Sequence, residues 1–130
     1  MVGDVINIKD AYIVNIGIEF EVITDIESNN NDVIRNCISS LQAFFDIDLM
    51  TINKPIVLKT LEGLLDNIIG VQTVKQINII NKVGENKGYS KYAYDINGAT
   101  QNRVVYPSLD PMVFEIKNPN QDITGRVVTL

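Results

Sequence analysis

The chain has 130 residues, a formal net charge of −5 and 45% hydrophobic residues. This length fits one domain, and the hydrophobic content is sufficient for a core. The acidic balance and the scattered Lys and Arg residues argue against a nucleic-acid surface. Histidine is absent, which removes the commonest general acid–base and the commonest metal ligand. We therefore predict no enzymatic activity, no cofactor or metal, and no nucleic-acid partner.

The sequence also gives no indication of a membrane partner or of covalent cross-linking. It contains no run of about 18 apolar residues, and its first residues lack the charged-then-apolar order of a signal peptide. Cys37 is the single cysteine, so it cannot form an internal disulfide. Its apolar neighbourhood favours a buried side chain over a reactive thiol.

The stretch from Tyr12 to Val22 has the clearest pattern in the chain. Its even-numbered positions read Tyr, Val, Ile, Ile, Phe and Val, whereas its odd-numbered positions from 15 to 21 read Asn, Gly, Glu and Glu. Successive side chains of a strand point to opposite faces, so the pattern predicts one apolar face and one wet face. We interpret this stretch as the central strand of a sheet.

Two amphipathic helices are predicted after the central strand. The first begins near Asp32, and its apolar residues recur at spacings of three and four. The second spans about Val57 to Ile69, with Gly70 expected as its C-terminal cap. Val74 to Val83 then returns to strand character. The apolar faces are Ile34, Cys37, Ile38, Leu41, Phe44 and Phe45 in the first helix, and Leu58, Leu61, Leu64, Leu65, Ile68 and Ile69 in the second.

This order of elements predicts an α+β fold in which two helices cover one face of a small sheet, as in the ferredoxin-like arrangement. Residues 1–83 form the predicted β-α-α-β core. Residues 84–130 form a β- and loop-rich C-terminal arm within the same single domain. In the arm, the Asn97-Gly98 pair predicts a tight turn, and Met112 to Lys117 predicts a late strand.

The C-terminal arm is the predicted interaction surface, because its tyrosines are closely spaced and tyrosine is favoured at protein interfaces. No basic groove accompanies them, which disfavours base stacking. The arm either folds back over the sheet or packs on a neighbouring chain, and a core position is an equal alternative for Met112 and Phe114. Truncation after Val83 is expected to keep the helices and abolish association. The candidate interface residues are Tyr94, Tyr106, Leu109, Met112 and Phe114.

Several short runs resemble phage tail proteins. The first group is Asn30-Asn31-Asp32-Val33, Leu41 with Phe44-Phe45, and Gly70-Val71-Gln72-Thr73-Val74. It resembles the C-terminal region of baseplate J-like and baseplate wedge proteins of contractile-tailed bacteriophages. The second group is Tyr92 to Thr100, Val105-Tyr106-Pro107-Ser108-Leu109-Asp110-Pro111 and Gly125-Arg126-Val127-Val128. It is similar to the C-terminal end of virion structural proteins of large tailed phages.

The resemblance covers about residues 12–128 and implies a structural role without an active site. It implies a homo-oligomer that also contacts other baseplate or tail proteins, located in the virion after assembly in the host cytoplasm. Members of this family are usually much longer, so the chain is expected to be an excised C-terminal domain or a small relative. The alternative from the fold prediction is a ferredoxin-like regulatory domain that binds a small ligand.

Overall fold

The computed structural model describes residues 12–48, 54–108 and 111–129. Leu109, one of the predicted interface residues, lies outside these ranges. The elements in chain order are β1 (Tyr12–Thr24), α1 (Asn30–Asp48), β2 (Ile56–Val57), α2 (Leu58–Asp66), β3 (Val71–Asn81), a 3₁₀ turn (Glu85–Lys87), β4 (Thr100–Gln101), β5 (Val104–Val105), β6 (Met112–Glu115), α3 (Pro119–Asp122) and β7 (Ile123–Val127).

Strand β1 is the centre of the main sheet. Antiparallel β3 pairs with one edge of β1, and parallel β6 and β7 pair with the other edge, β6 along Tyr12–Asn15 and β7 along Ile18–Val22. A second, small sheet contains β2, β5 and β4 in that order. The α+β class and the central strand are thus confirmed. The ferredoxin-like arrangement is not confirmed, because two parallel strands and a second sheet join the predicted core.

The alternation of β1 produces the predicted apolar face. From Val14 to Val22 its inward side chains are buried under α1 and α2, whereas Tyr12, the first residue of the predicted apolar face, is 45% exposed. Helix α1 packs mainly against β7, whereas α2 packs mainly against β3. Burial of this kind contributes roughly 1.5–3 kcal/mol per large aliphatic side chain before entropy is counted. The core residues of these elements are Val14, Ile16, Ile18, Phe20, Val22, Val33, Cys37, Leu41, Phe45, Leu61 and Leu65.

Helix α2 is shorter than its apolar pattern predicts. It ends at Asp66, and the N–H groups of Asn67 and Ile68 bond to carbonyls in its last turn. Gly70 then takes a positive φ of 99°, which a side chain would strain. As a result Ile69, predicted to lie on the buried face, points outward and is 91% exposed.

The C-terminal arm is built into the core. Strand β5 pairs with β2, while β6 and β7 supply the second edge of β1. Five of the arm's apolar side chains are buried in the main core. The expectation that the helices survive truncation after Val83 therefore does not fit this architecture. The five side chains are Ile96, Val105, Met112, Phe114 and Ile123.

The short hairpin β4–β5 closes the second sheet and caps α2. Asn97-Gly98 lies in a turn, as predicted, but the hairpin turn itself is at Asn102 and Arg103, which both have positive φ. The Arg103 carbonyl accepts the N–H of Leu58, the first residue of α2, at 2.8 Å. This backbone contact satisfies one free N–H of a helix that has no side-chain cap.

Candidate interaction surface

Aromatic side chains cluster at the start of β1. Tyr12, Tyr92 and Tyr106 are exposed, and Tyr94 is half-buried. The rings of Tyr12 and Tyr92 meet edge to face, with centroids 4.8 Å apart, and Tyr94 meets the buried Phe114 at 5.7 Å. We name the four tyrosines the tyrosine pole.

Tyr12, Tyr92 and Tyr94 of the tyrosine pole line a hollow of about 260 Å³. Val14, Ala93 and Met112 complete its largely apolar lining, together with Ser108 and three of the tyrosines. At the rim, the Lys91 ammonium lies 5.4 Å from the centroid of the Tyr92 ring. An apolar hollow with a positive charge beside it suits an aliphatic side chain that has acidic neighbours.

Tyr94 is fixed by hydrogen bonds to Asn81 and Tyr106. The Asn81 side chain accepts the Tyr94 N–H at 3.1 Å and donates to its carbonyl at 2.7 Å, as a neighbouring strand would. The Tyr94 hydroxyl donates to the Tyr106 carbonyl at 2.6 Å. Burial, with a smaller contribution from Asp95, raises the pKa of Tyr94 above its usual value. Tyr94 therefore connects Asn81, at the end of β3, to the backbone of Tyr106.

A polar network on the other face of the sheet positions the loop that carries Tyr92. The buried Asn15 amide donates to Glu115 Oε1 at 2.8 Å, and its Oδ1 accepts the Ser90 N–H at 2.6 Å. The Tyr89 hydroxyl donates to buried Asp122 at 2.7 Å, and this bond is the main cause of a raised Tyr89 pKa. The pattern of β1 placed Asn15 on a wet face, whereas the loop covers it.

The structure separates the predicted interface residues into two groups. Tyr94 and Tyr106 lie in the tyrosine pole. Met112 and Phe114 are each 2% exposed and belong to the core of this chain, because β6 is paired in full with β1. Tyr12 and Tyr92 were missed as interface candidates. Tyr92 lies two residues before Tyr94, so the sequence itself places it nearby, whereas Tyr12 reaches the arm only through the pairing of β1 with β6.

The opposite end of β1 carries two exposed isoleucines. Ile26 is 100% exposed in the turn after β1, and Ile69 is 91% exposed in the turn before β3. The two turns are joined, because the Asp25 N–H donates to the Gly70 carbonyl at 2.9 Å. We name Ile26 and Ile69 the isoleucine tip. Asp25 and Glu27, both exposed, flank Ile26.

Cys37 is a poor candidate for chemistry. Its side chain is buried, and desolvation raises the pKa of the thiol to about 11. Among residues 12–48, 54–108 and 111–129, no group of three His, Cys, Asp or Glu side chains is arranged to hold a metal. Within the same ranges, no helix has both the length and the apolar character needed to span a membrane.

Comparison of the chain with protein-family models, with curated proteins and with solved structures gives no match. The resemblance to baseplate proteins therefore rests on the runs of residues quoted above. In the fold, Tyr92 to Thr100 and Val105 to Ser108 contribute most of the tyrosine pole and its hollow.

Proposed function

We propose that the chain is a structural module of a phage tail baseplate that acts through self-association and contacts with other baseplate proteins. The observation that supports this proposal best is the tyrosine pole. Exposed tyrosines that surround an apolar hollow offer a large contact area, and each has only two χ angles to restrain.

The contacts within the tyrosine pole favour binding because they order it before a partner arrives. Tyr12 and Tyr92 restrain each other through their edge-to-face contact. Tyr94 is held by Asn81, and through its hydroxyl it fixes the backbone of Tyr106. Association costs roughly 0.5–1.5 kcal/mol for each flexible side chain that it immobilises, so prior ordering lowers this cost.

The solution mass tests the proposal. Light scattering after size exclusion, over about a hundredfold range of concentration, should show a dimer or larger assembly of the wild-type chain. Tyr92→Ser and Tyr106→Ser should weaken that assembly, and each should keep a wild-type circular dichroism spectrum. Lys59→Ser is the matched control, since Lys59 is exposed on α2 and away from the tyrosine pole. A wild-type chain that stays monomeric throughout would contradict self-association.

The proposed location is the virion. Particles purified from cells that produce this chain should contain it in the tail fraction after the baseplate has been separated from heads. A chain that is abundant in the lysate and missing from purified particles would contradict this location.

The second candidate function is a regulatory domain that binds a small ligand. The open face of the main sheet has a groove of about 430 Å³ lined by Glu19, Gln76, Asn78 and the ion pair of Glu21 with Arg126. A ligand bound selectively to the native state raises the unfolding temperature. A screen of amino acids and nucleotides by thermal shift distinguishes this candidate from the baseplate module.

A further inference from the structure

We infer that copies of this chain associate head to tail, with the isoleucine tip of one copy seated in the hollow of the tyrosine pole of the next copy. This inference rests on the proposed self-association and names the two surfaces that carry it. The contacts that define each surface lie within one chain, and the two surfaces share no residue.

The isoleucine tip is exposed and rigid. Ile26 and Ile69 are the two most exposed large hydrophobic side chains among the described residues. The Ser28 N–H donates to the Asp25 carbonyl at 3.0 Å, and the hydrogen bond from Asp25 to Gly70 ties the two turns together. Both isoleucines are β-branched and stiff at χ1, so little entropy is lost when a partner covers them.

The hollow of the tyrosine pole has the chemistry that such a tip requires. Its lining is mainly aromatic rings and the side chains of Val14, Ala93 and Met112. Removal of aliphatic surface from water contributes roughly 25 cal/mol per Å² of apolar area. Among the described residues, the isoleucine tip presents the aliphatic side chains that are least covered by the rest of the chain.

Charge favours this orientation of approach. The chain carries a net charge of −5, so two copies repel each other on average. Asp25 and Glu27 flank the isoleucine tip, and Lys91 stands at the rim of the hollow. The docked arrangement brings the acidic residues of the tip to the rim that carries Lys91, which favours this orientation, while the charge of Asp95 beside Tyr94 opposes it.

The positions of the two surfaces determine the type of assembly. They lie at opposite ends of β1, whose thirteen residues extend about 40 Å at roughly 3.3 Å per residue. A contact between two different surfaces is heterologous, so each new copy presents another free tip. Repetition of such a contact closes into a ring when the rotation between copies permits it, which suits a module at the end of a tail.

Complementation between two blocked variants tests the inference. The tip variant carries Ile26→Asp with Ile69→Asp, and the hollow variant carries Ala93→Glu, which places bulk and negative charge in the lining. Each variant alone should lose self-association, by on the order of tenfold or more in dissociation constant. An equimolar mixture should form a pair that contains one copy of each and does not grow further.

Ala43→Asp is the matched control for the hollow variant, because it adds the same single charge at an exposed position on α1 that belongs to neither surface. All altered side chains are exposed, so circular dichroism and the unfolding temperature should stay at wild-type values. If the aspartate tip variant misfolds, Ile26→Ser with Ile69→Ser replaces it.

The outcomes separate this inference from the proposed function. A wild-type assembly that persists in both blocked variants overturns the head-to-tail contact and leaves self-association intact. Loss of association in only one variant overturns it in favour of a symmetric interface through the altered surface, and loss in both without pairing in the mixture overturns the contact outright. A wild-type chain that is monomeric at every concentration overturns both the contact and the self-association.

Discussion

The ring of Phe20 in β1 lies directly against Gly125 in β7. A Cβ atom added to residue 125 would sit 2.1 Å from Cζ of Phe20. The two residues are register partners in the parallel pair of strands, and Phe20 is 1% exposed. A glycine is therefore required at this position so that the largest buried side chain of the central strand can lie against its neighbouring strand.

Gly125→Ala is expected to lower the free energy of unfolding by about 1–3 kcal/mol, since the buried ring must move to admit a methyl group. Urea denaturation measures the change. Gly63→Ala is the matched control, because no atom lies within 4 Å of the added carbon in α2. That substitution should stabilise the protein by about 0.5–1 kcal/mol through helix propensity. Equal effects of the two substitutions would contradict the close contact.

Asn15→Ala should destabilise the protein by about 1–3 kcal/mol, because it leaves the Ser90 N–H and the Glu115 carboxylate without their partner. The Ser90 amide should also exchange its hydrogen faster, which nuclear magnetic resonance detects. Asn78→Ala serves as the comparison, since Asn78 is exposed on the same face of the sheet. Its effect should stay within about 0.5 kcal/mol.

Truncation after Val83 should unfold the chain. It removes both strands on one edge of β1 and five buried apolar side chains of the C-terminal arm. At roughly 1.5–3 kcal/mol for each buried side chain, this loss is comparable to the 5–15 kcal/mol that typically separates folded from unfolded states. Far-ultraviolet circular dichroism should show a spectrum without helical minima. A helical, cooperatively melting fragment would show that residues 12–83 fold alone.

The thiol of Cys37 should make stability depend on pH in the alkaline range. Its pKa is about 11 in the folded chain and 9.0 when unperturbed, so the folded state keeps a proton that the unfolded state releases. The stability that the protonated thiol contributes is fully present below pH 9. The free energy of unfolding then falls by about 2–3 kcal/mol as the pH approaches 11. Cys37→Ala should remove this part of the slope. Tyrosines ionise in the same range, so the difference between the two proteins isolates the thiol, and parallel curves would contradict the shift.

The features with local periodicity could be predicted from sequence. The alternation of β1 and the helical spacing of Cys37, Leu41 and Phe45 each identify an element and its buried face. These patterns are strong because one side of each element meets the core and the other meets water. The turn at Asn97-Gly98 follows from backbone preference in the same way.

The pairing of strands that are distant in the sequence could not be predicted from local patterns. Nothing near Met112 indicates that it pairs with Tyr12, one hundred residues earlier, so its place in the core could not be separated from a place in an interface. Ile69 continues the apolar spacing of α2, and only the turn before Gly70 turns it outward. Arg103 takes a positive φ that arginine rarely adopts, so Asn102 is the only residue of this two-residue turn that favours it by type.

The end-to-end placement of β6 and β7 along one edge of β1 also determines when the chain can fold during its synthesis on the ribosome. Strands β1 and β3 emerge early, but the second edge of β1 gains its partners only when residues 112–127 have been made. Since the chain truncated after Val83 is expected not to fold, the nascent chain stays unfolded until then, and its apolar β1 segment is open to contact with other chains. Completion of the sheet therefore waits for translation of the last strand, and a slow passage through this late segment prolongs the vulnerable state.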